Sequence, residues 1–77
     1  MRVKIGQILI ANKTVHMEYN PIDICLTKHN KYKIKRFEED CFVIDSDIFQ
    51  DHYFGMEDLD RFFIKSNKTL NKNIIIL

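Results

Sequence analysis

Apolar positions recur along this chain mainly with period two and in short runs, the spacing of strands. Val3 and Ile5, then Ile8 and Ile10, alternate around Gly6, which predicts a strand pair or one strand broken at a bulge. Residues 14–19 read as a second short strand. Asn20-Pro21 marks a turn, because the residue before proline is pushed out of the helical region. Residues 20–30 then read as a loop with Ile22, Ile24 and Leu26 dipping inward. The cleanest strand spans 31–37, with Tyr32 and Ile34 on one face and Lys31, Lys33 and Lys35 on the other.

A charged turn follows at Glu38-Glu39-Asp40, then a strand from Cys41 with Phe42 and Ile44 inward. Asp45-Ser46-Asp47 makes the next corner, since these side chains bond their own backbone. Ile48 to Phe54 reads as a further strand closed by Gly55. Met56 to Arg61 is too short for an independent helix and fits one 3₁₀ or α turn, with Met56 and Leu59 on one side. Phe62-Phe63-Ile64 has high strand propensity and supplies the last strand. The expectation is an all-β domain over residues 1–65, a small bent barrel of five or six short strands with one helical turn before the last. Its predicted core is Tyr32, Ile34, Phe42, Ile44, Phe54, Leu59 and Phe62. A polar tail, 66–77, ends in Ile74-Ile75-Ile76-Leu77, an apolar stub that needs a strand edge, a partner or a second copy of the chain.

Size and composition narrow the function classes. The 77 residues are 45% hydrophobic and 30% charged, an ordinary globular mixture. A chain of this length buries only about 60% of its unfolded surface, which leaves little room for both a core and a deep catalytic cleft. No run of about 18 apolar residues predicts a membrane span. The stretch from Met1 to Gln7 lacks the apolar region of a signal peptide, and Cys25 and Cys41 are too few for a disulfide framework, so reduced cysteines and a cytoplasmic location are expected.

The net charge of +1 conceals segregation. Residues 1–37 carry eight Lys/Arg and two acids, 38–60 carry nine acids and no Lys or Arg, and 61–77 carry four basic residues and no acid. The acids Asp45, Asp47, Asp51, Glu57, Asp58 and Asp60 are therefore the expected face for a protein partner, by electrostatic steering. Charge reversal at Asp47 and Asp58 is expected to slow association while leaving the melting temperature nearly unchanged. The competing reading is a nucleic-acid surface on Lys28, Lys31, Lys33, Lys35 and Arg36. Against it, Tyr32 points away from the lysines and the acidic block repels phosphate.

Other chemistry is weak. Cys25, His29, Cys41 and His52 lack the tight knuckle spacing of a structural zinc site. Asp51-His52 with Cys41 or Ser46 could suggest a hydrolytic triad, but neighbouring strand residues face opposite ways. Turn chemistry explains Asp45 and Asp47 without a cation, and no nucleotide-binding or calcium-loop pattern is present. No metal, no cofactor and no enzymatic activity are expected.

Residues Thr27 to Ile34, Cys41 to Asp47, His52-Tyr53-Phe54 and Leu59-Asp60-Arg61-Phe62-Phe63 resemble small phage- and prophage-encoded proteins with an SH3-like barrel. Gly6-Gln7-Ile8-Leu9-Ile10 is similar to their first strand, and the similarity spans about three quarters of the chain. Where that family usually carries glycine, this chain has His29-Asn30, and Asn tolerates the left-handed conformation. The resemblance implies a non-enzymatic module that binds a bacterial host protein.

Overall fold

The structure, a computed structural model, describes residues 2–66. In chain order these form β1 (Ile8–Ala11), β2 (Val15–His16), β3 (Ile24–Leu26), β4 (Lys31–Lys33), β5 (Arg36–Glu38), β6 (Cys41–Ile44), β7 (His52–Gly55), α1 (Asp58–Phe62) and β8 (Phe63–Lys65). The fold is all-β, with one turn of helix. Its strands make three small antiparallel sheets, ordered β4-β1-β8, β2-β3 and β5-β6-β7, and these do not close into a continuous barrel.

The reason lies at Ile34-Lys35, inside what the sequence predicts as one strand. Ile34 exchanges backbone hydrogen bonds with the β1 side, its N–H donating to Gln7 (3.0 Å) and its carbonyl accepting from Gly6 (2.8 Å). One residue later, the Lys35 N–H donates to Val43 on β6 (2.8 Å). The chain thus leaves one sheet and enters another within a single peptide, giving β4 and β5. Side-chain alternation still buries Tyr32 and Ile34 and exposes Lys31, Lys33 and Lys35, as the pattern predicts.

Six of the seven predicted core residues are buried, and Phe62 is not: it packs half-buried against the core while Phe63 lies inside it. Helix α1 runs through Phe62, so strand alternation starts one residue later than the apolar triplet suggests. Phe63 meets Tyr32, Phe42 and Phe54 edge-on at 6.2, 5.8 and 6.2 Å, and Phe42 stacks on Phe54 at 5.6 Å. Aromatic pairs in these geometries contribute about 0.5–1.5 kcal/mol each beyond area burial.

Three further expectations are corrected. The strand predicted from Ile48 starts only at His52, because the Ser46 hydroxyl accepts from the Ile48 and Phe49 N–H groups (3.3 and 3.1 Å) and holds that stretch as a turn. The predicted loop 20–30 contains β3, which pairs with β2 as a projecting arm. Of the three isoleucines and leucines expected to dip inward there, only Leu26 does; Ile22 at the tip is 85% exposed and Ile24 41%. Ser66, the first residue of the expected tail, is buried and its N–H donates to Ile8 (3.0 Å). The rest of that tail, including the Ile74–Leu77 stub, lies outside the described residues.

Candidate functional site

The predicted acidic face separates into three groups. Asp47 sits in the β6–β7 loop, and its carboxylate accepts from the Tyr32 hydroxyl (2.9 Å) and the Thr27 hydroxyl (2.7 Å). The Tyr32 oxygen in turn accepts from the Thr27 N–H (2.9 Å), and the Asp47 N–H donates to Cys25 (2.9 Å). Burial, with the bond to Asp47 adding to it, pushes the Tyr32 phenol pKa up. Asp47 is therefore an exposed tie between the loop, the arm and β4, its carboxylate hydrogen-bonded to both hydroxyls.

Asp45 and Asp51 form the second group. Both carboxylates receive Lys35 Nζ, Asp45 at 2.8 Å, and Asp51 also accepts from Arg36 at 3.5 Å. Arg36 binds Glu38 and donates to the Tyr53 hydroxyl (3.2 Å), which itself donates to Glu38 (2.9 Å). These hydrogen bonds hold Asp45, Asp51 and Glu38 below the usual carboxylate range, with Lys35 the main cause for the two aspartates and Arg36 for Glu38. Arg36 and Tyr53 are the cross-strand partners of Val43 and lie over it, leaving it fully buried on the sheet's outer side. Two basic residues of the first charge block thus pair with three acids of the second.

Glu57, Asp58 and Asp60 remain, all on or beside α1. Asp58 borders a cleft of about 380 Å³ between the arm and β7. Val15, Met17 and Tyr19 form its arm wall, His52 and Phe54 its β7 wall, and Phe62 its end. The cleft follows from topology: β7 is the outer strand of its sheet, and the arm faces it without pairing. Asp58 Oδ1 accepts from Arg61 at 3.3 Å, and burial pushes its pKa up despite that cation. Glu57, Asp60 and, on the arm, Glu18 are exposed. The lining also includes Glu18 and Arg61, so the cleft mixes apolar walls with two carboxylates and one cation and suits an apolar segment whose own cation shares those carboxylates with Arg61.

His52 stacks on Phe54 at 4.4 Å, meets Phe49 at 5.4 Å, and its Nδ1 lies 2.8 Å from the Ser46 hydroxyl. Burial lowers its pKa below the ordinary 6.5. The structure therefore pairs Ser46 with His52 but turns Asp51 away, onto Lys35 and Arg36, so the imagined triad has no orienting acid at Asp51. Ser46 also serves as the turn acceptor described above. Cys25 is buried, with burial raising its thiol pKa, and Cys41 is half-buried. Among the described residues no three His, Cys, Asp or Glu side chains gather as a metal site, and no helix is long and apolar enough to cross a membrane.

On the basic strand, Lys28, Lys31 and Lys33 are exposed, whereas Lys35 and Arg36 are held by carboxylates. Tyr32 is only 6% exposed, so its ring offers no face for a base to stack on. Sequence reasoning found Asp58 but missed the cleft, since its walls come from three separated stretches. The one local signal was the alternation of Val15, Met17 and Tyr19 with polar neighbours. No protein-family model, curated protein or solved structure matches the chain.

Proposed function

We propose that this chain is a non-enzymatic SH3-like module of phage or mobile-element origin that binds, and thereby inhibits, a bacterial host protein in the cytoplasm. The strand order supports the SH3-like part. β1 pairs with both β4 and β8, the chain runs from β4 straight into β5, the β2–β3 arm falls between β1 and β4 in chain order, and one helical turn precedes β8. The phage origin rests on the sequence resemblance.

The observation that carries the binding reading is the cleft between the arm and β7, with Asp58 and Glu18 in its lining and the exposed Glu57 and Asp60 next to Asp58 along the chain. The partner surface proposed is narrower than the acidic block: Asp45, Asp47 and Asp51 already bond to Lys35, Arg36, Thr27 and Tyr32, while Asp58 lines the cleft beside the exposed Glu57 and Asp60. A nucleic-acid role for Lys28, Lys31, Lys33, Lys35 and Arg36 draws no comparable support, with Tyr32 buried and Lys35 and Arg36 held by carboxylates.

The test is an affinity pull-down from bacterial lysate, with and without nuclease, read by mass spectrometry. Wild-type chain should retain one stoichiometric protein after nuclease treatment. Glu57→Lys with Asp60→Lys, both at exposed positions, should lower that recovery several-fold and slow association at low salt while leaving the fold intact. Recovery of nucleic acid alone, or equal recovery by the double variant, would overturn the acidic-cleft reading.

A further inference from the structure

β7 closes the β5-β6-β7 sheet on one side, and among the described residues no strand pairs with its other edge. The Met56 N–H donates to the Asp40 carbonyl (3.0 Å), one step past the Cys41–Gly55 pair in the β6–β7 register. Bonded and non-bonded pairs alternate along an antiparallel ladder. His52 and Phe54 therefore turn their backbone groups to β6, while Tyr53 and Gly55 turn theirs outward. Two contacts agree with this alternation. The carbonyl of Val43, opposite Tyr53, accepts from Lys35 on the other side of β6 (2.8 Å), and the Gly55 N–H donates to the Asp58 carboxylate. The outward edge is thus centred on the Tyr53 N–H and C=O, and Tyr53 lines the cleft together with His52 and Phe54. Nothing blunts it: His52-Tyr53-Phe54-Gly55 holds no proline and no lysine, and pairs with β6 without a bulge.

We propose that an extended segment of the partner protein adds to β7 as a further strand, hydrogen-bonded to the Tyr53 backbone and flanked by the arm. This rests on the cleft being the partner site and names how the partner is held there. Side chains of an added strand alternate between the two faces. Those on the His52 and Phe54 side meet Val15, Met17 and Tyr19 and are apolar. Glu18 and Asp58 line the same cleft, and the Glu57 carboxylate stands against Gly55, where a Cβ would come within 2.7 Å of Oε1. A Lys or Arg of the segment therefore belongs near the Gly55 end.

A second copy of the chain is the poorer occupant. Two β7 edges paired antiparallel at Tyr53 set Gly55 of one copy opposite Asp51 of the other. Glu57 and Asp58 then stand beside a third carboxylate at each end of the pairing, and like charges so placed repel.

The probe is a displayed library of random dodecapeptides, panned on the full chain. Selected peptides should alternate apolar and polar residues and carry Lys or Arg. The best of them, made synthetically, should protect the Tyr53 amide from hydrogen exchange, read by NMR. Tyr53→Pro deletes the outward N–H and leaves the β6 bonds in place, so it should weaken that peptide about tenfold. Tyr53→Thr, which keeps the N–H, should lose far less. Equal binding by these two variants overturns strand addition. If Glu57→Lys with Asp60→Lys still weakens the peptide in that case, the acidic-cleft reading stands alone; if it binds normally, both fail. Should Tyr53→Pro not fold, the wild-type amide decides, since a bound peptide that leaves Tyr53 exchange unchanged also overturns the proposal. So does a library that yields no binder. Protection of the Tyr53 amide without peptide, lost on dilution, assigns the edge to a second copy and overturns it as well.

Discussion

Asp47 accepts two hydroxyl hydrogens and donates its own N–H to Cys25, so one loop residue joins the arm, β4 and the β6–β7 turn. Removing its carboxylate in Asp47→Ala leaves the Tyr32 hydroxyl without an acceptor in a nearly buried setting. The expected loss is about 1–3 kcal/mol, read as a lower urea midpoint at unchanged slope, with Asp47→Asn losing less because one acceptor oxygen survives. A wild-type midpoint for the alanine variant would show that the tie contributes nothing. This also revises the expectation that charge reversal at Asp47 leaves stability untouched. The sequence reads correctly as a turn at Asp45-Ser46-Asp47. What it does not reveal is that Asp47 reaches 15 positions back to Tyr32, since such a pairing depends on how distant segments are brought together.

At the scale of elements, the turn before β4 shows how far local chemistry is legible. The Asn30 N–H donates to Thr27 (3.0 Å), and His29 between them has φ 77°, the pattern of a turn that wants glycine at its third position. The family resemblance expects glycine at His29-Asn30, and Asn30 looks the better tolerated of the two. The structure puts the left-handed residue at His29 instead. Left-handed backbone costs a side-chain-bearing residue about 1–2 kcal/mol, and glycine returns about 0.5–1 kcal/mol of that through unfolded-state entropy. His29→Gly should therefore stabilise by about 0.5–1 kcal/mol and raise Tm by about 2–8 °C. Asn30→Gly should not, so a scan of both variants checks the assignment. The short strands around Phe42 and Tyr32 were legible because each has one buried face and alternates cleanly. The break at Ile34-Lys35 and the phase of Phe62-Phe63 were not, because both depend on which neighbour the backbone meets.

For the whole molecule, the three charge blocks of the sequence do not survive as three surfaces. Lys35 and Arg36 interleave with Glu38, Asp45 and Asp51, while Glu39 and Asp40 at the β5–β6 turn and Glu57 and Asp60 beside α1 stay exposed at separate places. Charge counts along a chain say nothing about such cross-strand pairing, which is why the acidic face looked larger in the sequence. The same interleaving shapes how stability depends on pH. Glu38, Asp45 and Asp51 are lowered by their basic partners, so their contribution is present above the unfolded carboxylate range and is lost as pH falls through the folded values. His52 is lowered by burial: its neutral form is favoured in the fold, so stability declines as pH drops below 6.5 toward the folded pKa, before the carboxylates titrate. Asp58, raised by burial, acts in the opposite sense, adding stability at acid pH that is lost as pH rises through its folded value. Cys25 and Tyr32, also raised by burial, favour the fold in their neutral forms, and their contributions fade only at alkaline pH. Tm should therefore hold a plateau at neutral pH and show a first decline as pH falls below about 6.5, ahead of the steeper acid loss. His52→Gln should flatten that first decline and leave the acid loss in place. An equal decline in the variant would mean that a group other than His52 sets the upper edge of acid sensitivity.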